Sequence, residues 1–135
     1  MNQVFADTGY WQAVLNPADQ LHPKATEVSK GLGKVRLLTT EMVLGELLAA
    51  LARPPVRAIV IRGVDSIRRN PNVEVLPQTS MQFDEAFDLY RQHEDKGWSL
   101  TDCASFIVMR RRGIDRALAH DRHFAQAGFV ALLAD

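Results

Sequence analysis

The sequence predicts a three-layer α/β domain with a mostly parallel central sheet flanked by helices. Short apolar runs of strand length recur along the chain and alternate with longer segments of helical periodicity. The runs are apolar almost throughout, as strands covered on both faces are. The 135 residues suit one domain, spanning 1–135, and can bury a core without disulfide or metal staples. In such folds the crossovers are right-handed and ligands bind beyond the carboxyl ends of the strands.

"QVFAD", Gln3 to Asp7, reads as the first buried strand, and "TGYWQAVL" as a short helix after it. "NPADQLHP" is a break around Pro17 and Pro23. "PKATEVSKGLG" reads as a helix stopped by its glycines, and Val35 to Thr40 as the second strand. "EMVLGELLAALARPP" is a helix ended by Pro54 and Pro55, apolar enough to be buried on most sides. "VRAIVIRGVDSIRRN" has β-branched residues that suit a strand, but its length and arginine spacing favour a helix with Gly63 inside. "NVEVLP" is the third strand.

"SMQFDEAFDLYRQHEDKG" is a helix with Ser80 as its expected cap and Phe83, Ala86, Phe87 and Tyr90 as a core-facing stripe. "SLTDCASFIVMRRRG" is a helix capped by Ser99 or Thr101. A fourth strand runs through Ala117 to Ala119, "RHFAQAG" makes a helical turn, and "FVALLAD" is a final strand.

Sixteen basic and sixteen acidic groups balance, which argues against a general nucleic-acid binder. A nuclease escapes that argument, because it can gather cations in one place and acids in another. Arg68–Arg69 and Arg110–Arg112 are the candidate basic patches; solvated helix ends are the simpler explanation of both. No apolar run approaches the roughly 18 residues of a membrane span. The start, "MNQVFADTGYW", lacks the features of a signal peptide, and the lone Cys103 fits a reducing cytoplasm.

Four acids occupy matching places. Asp7 ends the first strand, where it either caps the next helix or faces a ligand site. Glu46 is the only charge in the eleven residues "MVLGELLAALA"; it is a solvent-facing stripe, a buried salt bridge or a metal ligand. Asp102 stands in the first turn of an apolar helix, where Ser99 can form a capping box with it. Asp121 ends the fourth strand as Asp7 ends the first, and a turn role is the simpler alternative. A parallel sheet puts these places on one edge. Carboxylates so gathered repel unless a cation joins them, and their hard oxygens suit Mg²⁺ or Mn²⁺. Zinc fits poorly, and His120 and His123 read as local hydrogen-bonding or substrate-edge groups. Such a metal site activates water against a phosphodiester. The GxSxG elbow and the glycine-rich phosphate and dinucleotide loops are absent.

The chain resembles the PIN-domain ribonucleases, and within them the toxin subunits of VapBC-type toxin–antitoxin pairs. The resemblance rests on "VFADTGYW" with Asp7, "TTEMVLGELL" with Glu46, "LTDCASFIVMRRRGI" with Asp102 and "ALAHDRHFAQAGF" with Asp121. It implies Mg²⁺- or Mn²⁺-dependent RNA cleavage, a homodimer and an inhibitory antitoxin protein. It makes Asp7 and Asp102 the main metal ligands, with Glu46 binding metal or orienting water. Asp121 completes the cluster, Thr8 supports Asp7, and Arg110, Arg111 and Arg112 contact phosphate or the antitoxin. One departure is Ala119, where many relatives carry a hydroxyl two residues before the fourth acid. Two rivals remain: a silent RNA-binding or interaction module, and a signalling receiver. The receiver is disfavoured because Asp7 has no acidic neighbour and Lys96 is the last lysine.

Overall fold

Five strands, β1 (Gln3–Ala6), β2 (Arg36–Thr40), β3 (Val73–Leu76), β4 (Arg116–Leu118) and β5 (Val130–Ala131), form one sheet in the order β3-β2-β1-β4-β5. Every pairing is parallel. The computed structural model describes residues 2–135. Helices α1 (Thr8–Leu15) and α2 (His22–Gly31) connect β1 to β2, and α3 (Glu41–Ala50) and α4 (Val56–Arg69) connect β2 to β3. Helices α5 (Ser80–Gln92) and α6 (Leu100–Arg112) carry the chain from the β3 edge back past β1 to β4, and α7 (His123–Gln126) precedes β5. The predicted parallel α/β fold is therefore the observed one, and "VRAIVIRGVDSIRRN" is helical.

Strand β1 is fully apolar from Val4 to Ala6, and all three residues are buried. Its end is pinned by a buried polar pair. The Thr39 hydroxyl donates to the Ala6 carbonyl at 2.9 Å and accepts from the Trp11 indole at 3.3 Å. On the other side the Asp7 N–H donates to Leu118 O at 3.2 Å, which ties the residue after β1 to β4. Phe106 of α6 and Phe124 of α7 meet edge to face at 5.0 Å, and Phe124 lies 6.3 Å from Phe5 of β1. All three rings are fully buried, each worth about 1.5–3 kcal/mol of transfer free energy. This aromatic seam locks α6 and α7 over the sheet. On the other flank, Gly63 lets α4 approach α1: a β-carbon there would meet the Leu15 methyls at 2.6 Å.

Four expectations are corrected. Helix α3 buries one face only, through Val43, Leu44 and Leu47, while Glu46, Leu48, Ala49 and Ala50 are exposed. Its composition is apolar, but its apolar residues surround the helix rather than lining one stripe. The α5 stripe does not face the core as a whole: Ala86 is buried, whereas Phe83, Phe87 and Tyr90 are exposed. The cap of α5 is Thr79, whose hydroxyl accepts from Gln82 N–H at 3.1 Å. Ser80 is already helical. Finally, the last strand is only Val130–Ala131, because Leu132 and Leu133 turn away while their N–H groups bond Ala117 O and Ala119 O.

The cap assignment gives a direct expectation. Thr79→Ala destabilises the fold by about 1 kcal/mol in urea unfolding, and Ser80→Ala by less than about 0.5 kcal/mol. Equal losses would return the cap to Ser80.

Candidate active site

Between β1 and β4 the strand order reverses: the chain leaves β1 toward β2 on one side and comes back to β4 on the other. A parallel sheet opens a crevice at such a point, beyond the strand ends. A cleft of about 360 Å³ lies there, and Asp7, Glu46, Asp102 and Asp121 all line it. The structure thus brings together all four acids singled out in the sequence.

Asp7 is the most constrained of them. It occupies the N-cap position of α1, yet its carboxylate makes no capping hydrogen bond. The residue is 8% exposed, and Oδ1 is buried with no hydrogen-bond partner. Burial pushes the carboxyl up to about 8; the Thr8 backbone N–H pulls it back, and the charges of Asp102, Glu46 and Asp121 push it further. The capping alternative for Asp7 therefore fails.

Asp102 satisfies both of its sequence readings. Ser99 Oγ accepts from Asp102 N–H, and Asp102 Oδ2 accepts from Ser99 N–H, each at 3.0 Å, completing a capping box. The same Oδ2 lies 2.9 Å from His123 Nδ1. Burial raises the Asp102 carboxyl despite these contacts. Asp121 sits three residues past β4, exposed; its Oδ1 accepts from His123 N–H at 2.8 Å, and its Oδ2 lies 3.3 Å from His123 Nδ1. Asp102, Asp121 and His123 each offer one ligand atom within 4.8 Å of the others. His123 is thus the local hydrogen-bonding group expected, and it orients two of the acids.

Glu46 enters from α3, and its Oε1 accepts from the Thr8 hydroxyl at 2.6 Å. This corrects the role given to Thr8, whose side chain supports Glu46 while its backbone N–H faces Asp7. The three terminal arginines of α6 form an exposed helix end, the simpler of their sequence readings. They lie at the far end of the helix from Asp102, with Arg110 about 12 Å further along its axis. Arg111 is bonded to Glu85, Arg112 meets Glu74 at 2.7 Å, and Arg110 donates to Ala127 O at 3.3 Å. Arg68 is 3.3 Å from Glu41. These cations hold the surface together and do not reach the cleft. Gln12 is a lining residue that the sequence reading missed. Its signal was its place one turn beyond Thr8 on α1.

The donor set fits a divalent cation. It offers several carboxylate oxygens, one of them buried and unpartnered, in a cluster where burial first and then the charges of the neighbouring acids raise Asp7. Asp102, Asp121 and His123 place ligand atoms close enough together to share one ion, and Asp7 and Glu46 line the same cleft. His123, already within hydrogen-bond reach of Asp102 and Asp121, lies beside them.

The PIN-domain family model matches residues 4–130. The 23S rRNA-specific endonuclease VapC20 of Mycobacterium tuberculosis is 32% identical over 127 residues, covering 94% of this chain and 95% of that protein. The crystal structure of Mycobacterium tuberculosis VapC20, a sarcin–ricin loop cleaving toxin, superposes with a TM-score of 0.85 at 31% identity, covering 94% of this chain and 96% of that one.

The Asp7 environment makes stability depend on pH. The folded chain keeps a proton on Asp7 up to about 8, whereas an unfolded carboxyl releases it near 3.8. Asp7 therefore takes up a proton on folding between these values, and its contribution to the stability of the metal-free protein is lost as pH rises from about 4 to about 8. Asp7→Asn removes that slope and raises the metal-free Tm at pH 8 by about 5 °C or more. Parallel Tm–pH curves for the two proteins would show Asp7 to be an ordinary ionised carboxylate.

Proposed function

The chain belongs to the PIN-domain family, and from that premise we propose that it is a ribonuclease toxin whose four clustered acids hold a divalent cation for hydrolysis of RNA phosphodiester bonds. The observation that carries this reading is the buried, unpartnered Asp7 carboxylate facing three further acids at the sheet's switch point. The similarity to a 23S rRNA-specific endonuclease over 94% of the chain supports an endoribonuclease, with ribosomal RNA as the first substrate class to test. Residues 1–135 act as one nuclease unit in this reading.

The cation is Mg²⁺ or Mn²⁺, as carboxylate oxygens favour. When bound, it supplies an activated water and stabilises charge at the reacting phosphorus. Asp7 and Asp102 are its principal ligands, with Asp121 completing the cluster. Glu46, held by the Thr8 hydroxyl, orients the attacking water or accepts its proton. His123 fixes Asp102 and Asp121, as its 2.9 and 3.3 Å contacts support. Ala119 is fully buried and brings no hydroxyl to the site, where the Thr8 hydroxyl donates to Glu46.

The toxin reading carries an antitoxin protein as partner, a homodimer as the assembly and the cytoplasm as location. No helix among the described residues is long and apolar enough to cross a membrane. Leu48 on α3 and Ile59 and Ile61 on α4 are exposed apolar side chains available for either protein contact.

Purified protein cuts ribosomal RNA in Mg²⁺ or Mn²⁺ and not in EDTA. Asp7→Asn lowers the rate by at least about 100-fold while remaining folded by circular dichroism. Glu46→Gln lowers kcat by roughly 100-fold or more, with RNA binding retained. Undiminished cleavage by Asp7→Asn protein would remove the metal assignment; RNA binding without turnover by the wild type would favour the silent RNA-binding module.

A further inference from the structure

Helix α5 carries an aromatic stripe that packing does not explain. Phe83, Phe87 and Tyr90 are 43%, 44% and 48% exposed. They form a ladder, with ring centroids 6.3 Å apart for Phe83–Phe87 and 6.4 Å for Phe87–Tyr90. Exposed apolar surface this contiguous marks a binding site more often than chance. Beside it lies a groove of about 390 Å³ lined by Phe87, Tyr90, Arg91, His93, Lys96 and Trp98, with Glu94 its single acid. That volume is within the range of small-ligand sites.

Two features point to the occupant. The first is continuity with the acid cleft. Trp98 lines the groove, its neighbours Gly97 and Ser99 line the cleft, and Ser99 also borders the Phe83–Phe87–Tyr90 surface. The short segment Gly97–Ser99 is therefore a shared wall. The second is chemistry. The Arg91 guanidinium lies 4.5 Å from the Phe87 ring centroid, and the His93 and Trp98 rings are 4.7 Å apart. Exposed ring faces suit the stacking of unpaired nucleobases. Both groove cations are themselves paired, Arg91 with Asp88 at 3.1 Å and Lys96 with Asp95 at 2.9 Å, so the aromatic rings and not net charge carry the recognition.

We propose that this groove is a nucleobase subsite, in which unpaired bases of the RNA stack on Phe87 and Tyr90 while the adjoining phosphate reaches the acids. The proposal rests on the RNA reading above, and its test separates the two. Labelled single-stranded RNA of about ten nucleotides is titrated, by anisotropy, into full-length Asp7→Asn protein, which binds without cutting. Adding Phe87→Ala and Tyr90→Ala weakens binding roughly 10- to 100-fold. Phe87→Tyr and Tyr90→Phe keep the rings and the affinity, and Met81→Ala, off the stripe, leaves it unchanged. An abasic RNA loses affinity for the ring-bearing protein and not for the double-alanine protein.

Equal affinity of ring-bearing and ringless proteins overturns the proposal. So does a loss that follows a dimer-to-monomer shift in sedimentation, because a second copy of the chain then fills the groove. With Asp7 intact, ring-dependent binding without cleavage in Mg²⁺ or Mn²⁺ would defeat the nuclease reading and leave the subsite standing. Cleavage and binding indifferent to the rings would do the reverse.

Discussion

A carboxylate buried at the end of a strand, with three other acids around it, is the constraint around which this molecule is organised. Asp7 follows three fully buried apolar residues of β1, so its position is set by the sheet and not by solvent. Its charge is opposed by burial and by three neighbouring acids. A cluster like this is unfavourable for a scaffold and useful for a site that takes a cation. The fold accepts it because each acid arrives from a different element: β1, α3, α6 and the turn after β4. No one element has to tolerate more than one of them.

The surroundings of the cluster hold those four arrivals in register. Thr39 and Leu118 fix the backbone on either side of β1. The Phe5–Phe124–Phe106 seam fixes α6 and α7, and with them Asp102 and the turn that bears Asp121. Side-chain hydrogen bonds then set the final directions, Thr8 for Glu46 and His123 for the two aspartates. Rigidity is therefore invested in packing behind the acids, and adjustability is left to the exposed Asp121 and Glu46.

What could be read from the residues alone follows a simple physical division. The places of the strands along the chain and the four acids were legible because apolar runs and chain position are local properties. Facing was less legible. Helix α3 is apolar in composition but exposes Leu48, Ala49 and Ala50, and the α5 aromatics match a core stripe in spacing yet lie beside the core, with only Ala86 in it. Periodicity identifies a stripe and does not say what covers it. Partners distant in sequence were invisible. Thr8 and Glu46 are 38 residues apart, as are Glu74 and Arg112, and no local rule pairs them. Thr79 and Ser80 are adjacent hydroxyl residues, so the cap between them depends on backbone angles that the sequence does not display.

Asp102 serves the fold and the site through one side chain. Its Oδ2 closes the first turn of α6 and also meets His123. An apolar residue at this position would give up the reciprocal bond with Ser99, so the first turn of α6 would begin to fray. Position 102 is thus less free to vary than position 46, whose carboxylate leans on a hydroxyl and could be re-aimed by a rotamer. Mutational tolerance across the four acids should accordingly be graded by how much architecture each one carries.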